Sequence, residues 1–318
     1  MINLINKFKN LPVAMSGLAL GASGLGNLLA SEVHPNLRYI FVGIAILILI
    51  MISIKKLAHF QLLKNEIANP VAGSFVPAFD MALMVVASII AEEYLLIGQV
   101  LWYFAIILHI IFATSFFYYQ IKTFEFNQVL PSWYIPPVGI VVACVTSIPM
   151  NNQQLAQIIF YIGFSFYCFM LPIMMYRLIF GERINNTQLP AFAVMSAPAS
   201  LCLAGYLTVF EQPSPLIVGI LLPLGLMMTG LVYLSMVRIN PLRIGFIPLY
   251  ASFTFPLAIG ATAIIKYSHF IGEFTTAGRI WHNIGIAEMI IACIIIFWVL
   301  INMTHFVYKN VLNSSTIT

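Results

Sequence analysis

The sequence predicts an all-α integral membrane protein, with ten transmembrane helices arranged as five helical hairpins. Three observations predict it. First, only 8% of the residues are charged and 61% are hydrophobic, whereas a soluble domain carries about 25% charged residues. So few charges do not make a water-facing surface, and the mean hydropathy of +0.99 agrees. Second, the apolar runs have the length of about 20 residues that a bilayer core requires, and 318 residues hold ten or eleven of them with short loops. Third, the basic residues segregate to one side of the spans so defined.

Taken in order, the helices are predicted at 12–31, 38–55, 72–91, 97–120, 133–149, 155–177, 189–209, 215–236, 244–266 and 281–306. Lys7 and Lys9 ahead of the first run have the look of a signal peptide, but the run from Pro12 to Ala30 is long and glycine-patterned, which fits a retained helix. Only 56–71, 121–132 and 267–280 are long enough to hold more than a turn between helices, so residues 1–318 read as one transmembrane domain without a separate soluble one.

With the N-terminus inside, the inner loops hold Lys7, Lys9, Lys55, Lys56, Lys64, Lys122, Arg177, Arg183, Arg238, Arg243 and Lys309. The outer side holds Arg38, Lys266 and Arg279. This bias predicts a multi-pass protein of the plasma membrane (the inner membrane of a bacterium) with both termini cytoplasmic. The acids Glu32, Glu92, Glu93, Glu211 and Glu273 lie on the other side.

The odd helices differ from the even ones. The first carries Gly17, Gly21 and Gly24, the third Pro77, the fifth Pro136 and Pro137, the seventh Pro198, and the ninth Pro248 and Pro256. They also hold more small hydroxyls, among them Ser74, Thr146, Ser200, Ser252 and Thr254. A proline removes a donor and frees a carbonyl, and in hydrocarbon that carbonyl needs protein or water beside it. The even helices are plainer, apart from Pro172 and Pro223. The contrast predicts an inner ring of five odd helices around a central pore and an outer ring of five even ones. Glycines and prolines also serve plain helix packing, which is the competing explanation, and Gly17 and Gly21 form a G-x-x-x-G of that kind.

Several functions are excluded or unsupported. No lysine- or arginine-rich run points to nucleic acid. Cys144, Cys168, Cys202 and Cys293 lie singly in apolar stretches and suggest neither a metal nor a disulfide framework. The six histidines do not cluster, and no hydrolase, zincin or phosphate-loop motif is present. The expectation is therefore no metal, no cofactor and no enzyme.

The odd helices also carry a resemblance. Leu11-Pro12 through Gly17-Leu18-Ala19-Leu20-Gly21, Asn69-Pro70-Val71 through Ser74-Phe75, Pro131-Ser132-Trp133-Tyr134-Ile135-Pro136, Ala197-Pro198-Ala199 and Tyr250 through Phe255-Pro256 occur in order, each opening an odd helix or lying within it. Through them the chain resembles the tellurite-resistance/dicarboxylate transporter family, which includes bacterial tellurite-resistance proteins of the TehA kind, yeast malate and sulfite transporters and the slow anion channels of plant guard cells. The resemblance implies five hairpins, a pore through each protomer, a homotrimer, and inorganic anions or small carboxylates as permeants. It also implies a phenylalanine on the ninth helix blocking the pore. By motif this is Phe255, with Phe253 as the alternative in a register shifted by two. Gly17, Gly21, Pro77, Pro136, Pro198, Pro256, Ser200 and Thr254 are then the expected kinks and pore lining.

Asp80, the one aspartate, falls inside the third helix, and intramembrane acids are functional by default. It either lines the pore protonated, which permits proton coupling, or bonds a neighbouring helix. Glu288, in an outer helix by this reading, is expected to find a partner in the bundle or at a trimer contact. No lysine or arginine lies mid-membrane, so anion preference from the residues alone rests on mouth charges such as Lys266 and Arg243. Three functions compete: a gated passive anion channel for small monovalent anions, a proton-coupled transporter of C4-dicarboxylate, sulfite or tellurite-type oxyanions, and a membrane protein without transport activity. The lack of buried charge partners favours the channel.

Overall fold

The computed structural model describes residues 2–239 and 245–313. The predicted inner-loop Arg243 and the predicted start of the ninth helix at 244 lie outside them. The described residues are helical throughout, with no strand. A short N-terminal helix α1 (Ile2–Phe8) precedes α2 (Met15–Glu32) and α3 (Leu37–Ala58). Helix α4 (Phe60–Ala68) lies between α3 and α5 (Ala72–Glu93), followed by α6 (Leu95–Lys122). Then come α7 (Pro131–Val145), α8 (Gln153–Phe180), α9 (Leu189–Val209), α10 (Pro215–Ile239), α11 (Pro248–Phe270) and α12 (Thr276–Val307).

Eight of these, α3, α5, α6 and α8 to α12, are long and apolar enough to cross a bilayer. Helix α2 is 18 residues long and interrupted by glycines and Asn27, and α7 is a shorter apolar stretch. The region 133–149, expected as one helix, is instead covered by five short pieces between Pro131 and Met150 that alternate between tight 3-10 and α geometry, with Pro131, Pro136 and Pro137 in the first two. Three prolines remove donors and fix φ, so no continuous α ladder runs through it.

Burial separates the spans into two kinds. In α5, α9 and α11, 83–89% of the residues in the most apolar window are buried, whereas in α3, α6, α8, α10 and α12 the share is 28–39%. The second group turns large apolar side chains outward, such as Leu47, Ile107, Phe169 and Ile294, as helices dissolved in hydrocarbon do. The buried group is packed from small residues: α2 against α5 and α11, α11 against α9, α9 against α7, and α7 against α5.

The buried spans begin irregularly. Helix α5 is interrupted at Val76–Pro77, α9 is 3-10 from Leu189 to Ser196 before turning α at Ala197–Pro198, and α11 is 3-10 from Pro248 to Phe253 before turning α at Thr254, two residues ahead of Pro256. Tight helix of this length inside a span marks strain or a hinge. Carbonyls near these breaks are met by neighbouring side chains. Lys55 Nζ donates to Leu11 O, Gln120 Nε2 to Ala68 O and Trp133 Nε1 to Pro70 O. His109 Nε2 donates to Pro136 O, Ser252 Oγ to Pro190 O and Thr254 Oγ1 to Gly17 O. Without water at that depth each bond is obligatory. The two ends of the described chain meet, with Lys7 Nζ donating to the Leu312 carbonyl.

Candidate functional site

Two cavities lie among the buried spans. The first, about 40 Å3, is apolar and is lined by Gly17, Leu20, Ala78, Tyr134, Ile135, Pro198, Ser252 and Pro256 among others. The second, about 270 Å3, is more polar and is lined by Asn27, Ser31, Glu32, Thr146, Thr262, Lys266 and His269 among others. Phe255 and Leu201 line both. These two side chains therefore stand at the junction, and Phe255 is only 8% exposed.

The local backbone explains how Phe255 is held. Gly21 sits where α2 crosses α11, and a Cβ there would lie 2.4 Å from the Thr254 side chain and 2.8 Å from Phe255 N. Only a glycine lets the helices approach so closely. Thr254 Oγ1 bridges the crossing, bonding both Gly17 O at 2.9 Å and Ala251 O at 2.7 Å. One turn further on, the Phe255 ring lies 3.8 Å from the Cβ position of Gly24. A methyl at Gly24 would touch the ring at ordinary van der Waals distance, and a larger side chain would compete for its space. Pro256, the next residue, leaves the α ladder short of a donor at this point.

The expected lining residues thus divide. Gly17, Pro198 and Pro256 line the first cavity. Gly21, Pro77, Pro136 and Thr254 line neither and act one layer behind: Gly21 and Thr254 make the helix crossing, Pro77 breaks α5 just before Ala78, and Pro136 offers its carbonyl to His109. Ser200 lines neither of these two cavities. It faces a separate small cavity with Thr229, Gly225 and Gly260 between α9, α10 and α11, because its position on α9 points away from Leu201. Phe253 is buried and packs on Tyr250, with ring centroids 6.2 Å apart, so it too is outside both cavities.

Asp80 lines neither cavity. It is fully buried and meets His109 Nδ1 on α6 at 2.5 Å, while His109 Nε2 lies 2.9 Å from Pro136 O. A carbonyl only accepts, so Nε2 carries a proton, and one further proton is shared between Nδ1 and the Asp80 carboxyl. The pair is neutral as a whole whichever partner holds that proton. Lys56, expected in a loop, is buried at the end of α3, with Nζ 3.9 Å from the Phe79 ring centroid and 4.5 Å from that of Phe112. Glu288 accepts a hydrogen bond from Tyr233 at 2.6 Å and turns its other oxygen toward Gly260, outside both cavities. The described residues contain no cluster of three or more metal-ligating histidines, cysteines or acids.

Sequence reasoning missed Leu201, one leucine among many on an apolar span, and the Asp80–His109 pairing, since residues 29 positions apart have no shared periodicity. Tyr134 carried a signal as part of the Pro131–Pro136 stretch, and it lines the first cavity with a hydroxyl that has no hydrogen-bond partner among the described residues.

A bundle of apolar helices with two cavities along its buried spans defines a multi-pass α-helical membrane protein. The chain belongs to the SLAC1 family, described as voltage-dependent anion channel, whose model matches residues 10–304. It is similar to a tellurite resistance protein TehA homolog of Haemophilus influenzae, 26% identical over 63% of this chain and 62% of that one. Two uncharacterized transporters of Methanocaldococcus jannaschii are also similar: one is 27% identical over 42% of this chain and 43% of its own length, the other 23% identical over 57% and 58%. The matches thus span less than two thirds of these curated relatives. The family is described as a channel and two of these relatives are named transporters; none is named an enzyme.

Proposed function

We propose that this chain is a gated, passive channel for small monovalent anions. In this reading ten spans, α2 and α7 included, form five hairpins, with α2, α5, α7, α9 and α11 in a closed ring around the conduit. Three copies assemble in the plasma membrane with both termini cytoplasmic. One observation carries the proposal: the two cavities share Phe255 and Leu201. An apolar constriction between two openings excludes water and ions until it widens. The Pro256 kink beside Phe255, and the glycines facing it, supply room for the ring to move.

The test is current through purified protein in planar bilayers under a chloride gradient. Phe255→Ala is expected to conduct at least about tenfold more than the unaltered chain, as removal of a hydrophobic plug should, and to reverse near the chloride potential. A silent variant would end the channel reading. The Asp80–His109 pair, with its shared proton behind the α7 wall, supports the second reading, a proton-coupled carrier of dicarboxylate or oxyanion. That reading requires liposomal malate or sulfite uptake with a pH dependence that Asp80→Asn abolishes.

A further inference from the structure

The larger cavity holds a charge that the gate does not use. Along α11, Phe255, Ile259, Thr262, Lys266 and His269 recur at helical spacing on one face, and all five line this cavity. At 1.5 Å rise per residue, Lys266 stands about 16 Å along the helix from Phe255. The facing stripe on α2, from Gly24 through Asn27 to Ser31, likewise becomes more polar away from the gate.

The hydrogen-bond donors of this cavity can be taken one by one. Thr262 Oγ1 donates to Ala258 O, and Thr146 Oγ1 is bonded to Val142 O while receiving the Trp102 indole. Ser31 Oγ is bonded to Leu28 O and Glu32. Their hydrogens are committed. Lys266 has no hydrogen-bond or ion-pair partner among the described residues. Asn27 buries its Oδ1 without a partner, which leaves Nδ2 as the end that meets the open space. A lysine on a membrane span without a counter-charge is costly, and a mobile anion supplies that counter-charge.

We propose that Lys266 Nζ and the Asn27 carboxamide form an anion-binding subsite in the larger cavity, which gathers a small, partly hydrated monovalent anion about three helical turns from Phe255. The proposal rests on the channel reading and deepens it by naming the residue that selects anions over cations. One ammonium and one amide bind weakly, which lets the ion leave again. Glu32 lines the same cavity and opposes the subsite. Its carboxylate takes the Ser31 hydroxyl and stands 3.6 Å from His282 Nε2, and His282 in turn stacks on His269 with ring centroids 6.2 Å apart. Lys266 and Glu32 therefore act with opposite sign.

The test uses the full chain opened by Phe255→Ala, with reversal potentials measured in a KCl gradient. Lys266→Gln is expected to lower the chloride-over-potassium permeability ratio about threefold or more near 0.1 M salt, with a smaller effect near 1 M, where screening shortens to about 3 Å. Lys266→Arg should keep the ratio, and Glu32→Gln should raise it. An unchanged ratio in both Lys266→Gln and Glu32→Gln overturns the proposal. A second readout does not depend on conduction: bromide anomalous scattering from crystals of the unaltered chain. A peak within hydrogen-bond reach of Lys266 Nζ that Lys266→Gln removes supports the subsite even if Phe255→Ala is silent and the channel reading has failed. Absence of that peak overturns it.

Discussion

Helices α8 and α9 are neighbours in sequence, both apolar and both containing a proline, yet they live in opposite surroundings. In α8, 28% of the residues in the most apolar window are buried; in α9, 83% are. Helix α8 presents Phe166, Phe169, Ile173 and Tyr176 outward and stays α-helical through Pro172, itself exposed. Helix α9 is built from Ala191, Ala193, Ala197, Ala199, Ala204 and Gly205, all buried, and changes from 3-10 to α geometry at Ala197–Pro198. Neither hydropathy nor proline alone tells an inner span from an outer one. Residue size does, since close backbone approach requires small side chains while lipid accepts large ones. Pro223 of α10 repeats the lesson: it lies inside a continuous, exposed helix.

Five substitutions would break or sharpen this comparison. The largest expected effect on the inner set is at Gly21. A valine there must push apart α2 and α11, since the Cβ position is already 2.4 Å from Thr254. Overpacking of this kind costs about 1–3 kcal/mol or more, and thermal unfolding in detergent should show a clear drop for Gly21→Val. On the outer α3, Gly43 has nothing within 4 Å of its Cβ position. Gly43→Ala should instead leave the melting temperature unchanged or raise it slightly, by helix propensity of up to about 1 kcal/mol. Equal losses at both positions would erase the distinction between the two sets.

Next in size is His109→Phe, which strips the cap from Pro136 O and leaves Asp80 without its partner. A buried unsatisfied group costs about 1–3 kcal/mol, and more if charged, readable in the same melt. Asp80→Asn should cost much less, because the amide can donate to Nδ1 while Nε2 keeps its bond to Pro136 O. If Asp80→Asn and His109→Phe destabilise equally, the shared proton rather than the hydrogen-bond geometry holds this joint together. The smallest effect is expected at Leu201→Ala. Conductance should rise, by less than in Phe255→Ala, since the smaller side chain closes less of the junction both residues line. An unchanged current would leave Phe255 as the sole plug.

Much of this architecture was legible beforehand. Composition alone demands lipid as the main solvent, and the glycines and prolines of the odd spans single out the helices that the structure buries. Phe255 stands out by its motif and not by its chemistry, as it is one of 25 phenylalanines. The broken course of α7 was not read, since its apolar composition resembles any other span and only the spacing of Pro131, Pro136 and Pro137 hints at it. The surroundings of Ser200 were not legible, because a hydroxyl on an inner helix can face either cavity or a neighbouring helix, and sequence period does not say which.

The sequence by itself determined the solvent, the approximate positions of the spans and which of them are made of small residues, because these depend on local composition and on the thickness of a bilayer. The tertiary structure alone decided which side chains come together: Leu201 with Phe255 at the junction of the cavities, Asp80 with His109, and Lys266 across the second cavity from the α2 face that carries Asn27. Those meetings depend on the rotation of each helix about its axis, and that rotation is set by close crossings such as Gly21 on Thr254, which no single helix encodes.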